Sequence, residues 1–106
     1  MAYVYRPRGM PARFMEGAPE IVRRGIVDIF AVKPAAPLDF DIVLREGASA
    51  REVTGLDFGA GGAQGCHFFL DRAQMAAYRA RNRRNRVAWL DLPEATRRAV
   101  LAYLAG

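Results

Sequence analysis

Residues 38–44, Leu38-Asp39-Phe40-Asp41-Ile42-Val43-Leu44, carry the pattern that decides the fold. Leu38, Phe40, Ile42 and Leu44 alternate with Asp39 and Asp41, the two-residue period of a half-buried strand. A helix would scatter the same four apolar side chains around its circumference. The alternation predicts one core face and one polar face, with Asp39 and Asp41 on the wet side of an antiparallel sheet. Strand rise puts the two carboxylates about 7 Å apart, a spacing that suits a hard cation or an acid–base pair. No third ligand stands at local spacing, so solvated carboxylates are the favoured reading.

Outward from this strand the chain keeps the same character. Ile26 to Val32 is a β-branched run, and Pro34-Ala35-Ala36-Pro37 reads as the loop between it and residues 38–44. Val53 to Phe58 and Cys66 to Leu70 read as two strands around a glycine-rich loop, hence a hairpin. Gly59-Ala60-Gly61 does not open a dinucleotide fingerprint. Gln64 stands where a third glycine is needed, and the element that follows reads as a strand, not a helix. Near the N-terminus, Tyr3-Val4-Tyr5-Arg6 reads as a short strand ended by Pro7. Residues 7–19 form an irregular arm, and Pro19 to Gly25 is one helical turn or two.

The last third changes period. Asp71 with Gln74 has the form of a capping box, and Ala73, Ala76, Ala77 and Ala80 follow at helical spacing. This predicts a helix over about 72–84. Asp91 and Glu94 repeat the capping pattern around Pro93, and a second helix is expected over about 92–104, with Leu92, Thr96, Val100 and Tyr103 or Leu104 as its apolar stripe. Strands followed by helices indicate an α+β fold. The expectation is one domain over residues 1–106, a mainly antiparallel sheet of four or five strands from residues 2–70 covered by two C-terminal helices.

Composition agrees. A chain of 106 residues, 52% apolar and 25% charged, suits a single globular domain and excludes wholesale disorder. The lone cysteine excludes an internal disulfide framework. The longest uncharged run, Phe58 to Leu70, is short of a membrane span. The N-terminal arginines have no apolar stretch behind them, unlike a signal peptide. A cytoplasmic location is the expectation.

The net charge of +5 is unevenly placed. Residues 1–70 balance eight cations against eight anions, so the whole excess lies in residues 71–106. There Arg72, Arg79, Arg83 and Arg86 follow one another by seven, four and three residues, which stacks them along one stripe if the helix persists. Arg81 and Arg84 lie to another side. Such a density of guanidinium repels itself unless anions neutralise it. Nucleic-acid phosphate and acidic protein surfaces are the candidate partners, and a solvated helix face is the competing reading. Arginine also accumulates, without selection for function, in proteins of GC-rich genomes.

Other features carry less. Cys66 and His67 are the only thiol and the only imidazole; neighbours in a strand point to opposite faces, so they cannot form a nucleophile–base dyad with each other. One His and one Cys make no zinc site, and no metal or cofactor is expected. Tyr3 and Tyr5, interleaved with Arg6 and Arg8, resemble a stacking platform but read better as core, as does Trp89. No helix-turn-helix, RNA-recognition, KH or zinc-finger signature is present. Three function classes follow in order: a basic module binding nucleic acid or another polyanion, an interaction or assembly protein such as a small accessory or inhibitor protein, and an enzyme.

Overall fold

The computed structural model describes residues 14–32, 39–45 and 52–106. Four strands, β1 (Ile26–Ala31), β2 (Asp39–Leu44), β3 (Glu52–Gly59) and β4 (Gln64–Asp71), form an antiparallel meander in the order β1-β2-β3-β4. A short helix, α1 (Glu20–Gly25), precedes it, and α2 (Arg72–Arg81) and α3 (Glu94–Ala105) follow. The fold is α+β, with the sheet first and two helices after it. The expected strand at residues 3–6, Leu38, the loop at 34–37 and the start of the 7–19 arm lie outside the described residues. The end of that arm is packed: Phe14 is buried, and its carbonyl accepts from the Trp89 amide at 2.9 Å.

Within β2 the side chains of Asp39–Leu44 alternate between faces as expected. Phe40, Ile42 and Leu44 are buried on one face, beside Ile26, Ile29, Leu56 and Phe58. Val22 of α1 and Val100 of α3 close that side, with Trp89 as a core anchor. α3 is fixed in place by Thr96, fully buried, whose hydroxyl donates to the carbonyls of Gly59 and Ala60. The glycine-rich loop is the β3–β4 hairpin connection. Gly62 takes φ +91° there, and a Cβ on it would lie 2.8 Å from the Ala95 carbonyl oxygen of α3.

The opposite face departs from the sequence expectation. It is not a wet face, because α2 lies across it and forms a second apolar cluster of Phe30, Val43 and Met75, with Val27, Phe68, Leu70 and Tyr78 packed against them. Asp41 is consequently buried, 6% exposed. The two C-terminal helices thus cover opposite faces of one sheet.

The edges of the sheet also differ. β1 is capped from outside: Phe30 bridges to Arg86, and the Val87 amide donates to the Ile29 carbonyl at 3.0 Å. Among the described residues, nothing pairs with the outer side of β4. No described helix is long and apolar enough to cross a membrane.

Candidate polyanion-binding surface

The expected capping box sets where α2 begins, and with it the faces on which Arg79 and Arg81 of that helix lie. Asp71 Oδ1 accepts from the Gln74 amide at 2.8 Å, while Gln74 Oε1 accepts from the Asp71 amide at 2.9 Å. Met75 is the buried residue of the helix, and Tyr78 packs edge-on against Phe30 with ring centroids 5.4 Å apart. Arg79 stands four residues after Met75, so the helical repeat turns it toward the sheet. Its guanidinium meets Asp28 of β1, with Nη2 2.9 Å from Oδ2.

The α-helix ends at Arg81, three residues short of the expected end. Asn82 closes it, its side-chain amide donating to the Tyr78 carbonyl at 2.9 Å. Arg83–Asn85 form a 3-10 turn and Arg86 is extended. The single helical stripe is therefore broken after Arg79. Arg86 nevertheless returns to the same carboxylate, its Nε 2.7 Å from Asp28 Oδ1, and its guanidinium lies over the Phe14 ring at 4.7 Å. Asp28 is 2% exposed and also accepts from the Ile29 amide. A buried carboxylate needs such partners, since its desolvation is otherwise uncompensated. Two of the six candidate arginines thus hold β1 to the α2 region.

The other four are placed differently. Arg72 opens α2, is exposed and is engaged by a further interaction. Arg81 is exposed, its guanidinium 5.9 Å from the Tyr78 ring centroid. Arg83 and Arg84 are exposed on the 3-10 turn, and neither side chain has an ion-pair or hydrogen-bond partner among the described residues. Arg81, Arg83 and Arg84 form a cationic corner at the end of α2, where cations also suit the helix dipole. Elsewhere among the described residues, Arg23 and Arg24 pair with Glu20, Arg98 pairs with Glu94, and Arg45 Nε donates to the Arg24 carbonyl.

A second polar cluster lies beneath α2. Asp41 of β2 stands opposite Asp57 of β3, and the Tyr78 hydroxyl donates to Asp41 Oδ2. Burial and the facing Asp57 carboxyl raise the Asp41 pKa, the Tyr78 hydrogen bond lowers it, and the charges of Asp57 and Asp39 raise it further, to about 7. Burial and the Asp41 carboxyl push the Tyr78 hydroxyl well above its ordinary value.

Asp28 and Tyr78 were not among the candidates read from sequence. The signal for Asp28 was available: a charge inside the β-branched run 26–32 must either face water or find cations, and the surplus cations lie in the last third. His67 is exposed on β4, its Nε2 2.9 Å from the Tyr103 hydroxyl, and is not enclosed in a cleft. Among the described residues, no three His, Cys, Asp or Glu side chains are grouped to hold a metal ion. Comparison with protein-family models, curated proteins and solved structures finds no match to this chain.

Proposed function

We propose that the protein is a small basic binding module that contacts nucleic acid or a similar polyanion through the corner made by Arg81, Arg83 and Arg84. The observation that carries the reading is that these three guanidinium groups, within four residues, have no carboxylate partner among the described residues. The buried carboxylate of Asp28 is held by Arg79 and Arg86 instead. Exposed arginines without a carboxylate partner attract phosphate oxygens without demanding a particular base sequence, and the guanidinium fork suits bidentate phosphate contact.

The test is the salt dependence of binding to duplex DNA. Each phosphate contact contributes a slope of about −0.9 in log affinity against log salt, so replacing Arg81, Arg83 and Arg84 by Gln should flatten it by two to three units. Replacing Arg23, Arg24 and Arg45 removes the same charge from elsewhere and should leave the slope nearly unchanged. Equal weakening by both sets, or no binding by the wild type at ~50 mM salt, would overturn the reading.

A further inference from the structure

We infer that α2 is a proton-sensitive lid on the sheet. Asp41 and Asp57 hold a single proton between them beneath it, and loss of that proton to solvent loosens the helix. The lid stands apart from whatever the arginine corner binds.

Asp41 and Asp57 are direct cross-strand partners on β2 and β3, with their carboxyl groups within hydrogen-bonding reach. Two carboxylates have no hydrogen to share, so such a contact is favourable only when one of them is protonated. Donors around the pair are few. The Tyr78 hydroxyl serves Asp41 Oδ2, and Asp57 Oδ1 is buried with no hydrogen-bond partner among the described residues. The charged surroundings add to the pressure for a proton. Asp41 faces Asp57 from β3, Asp39 on its own strand and Tyr78 from α2, with Arg81 beside the Tyr78 ring. α2 also carries Arg72, six positions before Tyr78, and Arg79, which is drawn away to Asp28. β1 sets Phe30 opposite Asp41. β4 brings no Asp, Glu, Lys or Arg between Gln64 and Leu70, and its His67 lies on the other face with Tyr103.

What keeps water from the pair is α2. Tyr78 reaches Asp41 and packs on Phe30 and Phe68, with ring centroids 5.4 and 5.8 Å away. When the shared proton leaves, two adjacent carboxylates remain in an apolar setting, and admitting water relieves the cost. β2 and β3 do not part to let it in, since each is hydrogen-bonded on both sides and their other face is closed by the main core. α2 is held more lightly, with Met75 as its buried residue. It is the element that yields, and the Asp41 carboxyl, pushed up to about 7, places the change near neutral pH.

The experiment is amide hydrogen exchange of the full chain at about pH 5 and about pH 8, followed against low concentrations of urea. In the wild type, amides of residues 76–81 should exchange through a local opening that urea hardly affects. The equilibrium constant of that opening should rise about tenfold or more between the two pH values. Amides of Ile42 and Leu56 should exchange more slowly, through urea-sensitive global unfolding. Asp41→Asn keeps an acceptor for Tyr78 and offers Asp57 an amide donor, so its α2 should open equally at both pH values, with an unchanged circular-dichroism spectrum. A carboxyl-carbon NMR titration of the wild type needs no variant: Asp41 and Asp57 should titrate in two well-separated steps, the upper one near neutral pH. The inference is overturned by α2 amides that share the urea dependence of Ile42 and Leu56 at both pH values, or by an opening indifferent to pH. A folded Asp41→Asn that keeps the wild-type pH dependence, or two carboxyls that titrate together in the ordinary carboxylate range, would overturn it equally.

Discussion

Asp28 and Arg86, 58 residues apart in the chain, meet with Nε 2.7 Å from Oδ1 on the edge of the sheet. Arg79 completes the arrangement from α2, so one buried carboxylate ties β1 both to α2 and to the residue that follows the 3-10 turn. The arginine-rich third is thereby divided by role. Part of it holds the fold together, and part faces outward.

Asp28→Ala should lower stability by about 2–4 kcal/mol in urea denaturation, because two arginines and the Ile29 amide lose a buried acceptor. Glu20→Ala breaks the exposed pairs of α1 and should cost under about 0.5 kcal/mol. Comparable losses would mean that the Asp28 cluster is no more than a surface ion pair.

The Asp41 carboxyl gives the fold a pH dependence of defined sign. Its pKa rises from 3.8 to about 7 on folding, so the native state binds more protons than the unfolded state between those values. Its contribution is therefore most favourable below about pH 4, declines as pH rises to 7, and is flat above. Thermal melts of the wild type and Asp41→Asn should show this decline only in the wild type. Equal pH profiles would remove Asp41 as the cause.

The hairpin connection tests the docking of α3. Gly62→Ala adds a methyl group at positive φ and drives it against the Ala95 backbone, and should cost at least about 1 kcal/mol. Gly61→Ala, one residue away, meets nothing within 4 Å and should be near neutral. The contrast is read from midpoints of chemical unfolding.

What was legible in the sequence was local. The alternation, described over 39–44, the Asp71–Gln74 capping box and the glycine-rich turn each depend on neighbours within a few residues, and all three formed. Asp91 did not cap α3: Trp89–Asp91 is itself a 3-10 turn, and Pro93 occupies the N-cap position without a side-chain hydrogen bond. The larger departures are long-range. Asp39 and Asp41 read as a wet face because nothing near residue 40 announces that α2 will cross it. Arg79 and Arg86 read as ligands because their partner lies 51 and 58 residues away. The helix stopped at Arg81, since Asn82 turns back onto the Tyr78 carbonyl, and that ended the stripe that sequence spacing alone extended to Arg86.

The division between structural and outward-facing arginines is tested most directly by the salt slope of duplex DNA binding in two variants. Arg79→Gln with Arg86→Gln should keep the wild-type slope within about one unit while lowering the unfolding midpoint, because both side chains already serve Asp28. The Arg81, Arg83 and Arg84 replacement should do the reverse, flattening the slope by two to three units with the midpoint unchanged. A slope that collapses in the Arg79–Arg86 variant and survives in the other would contradict the account.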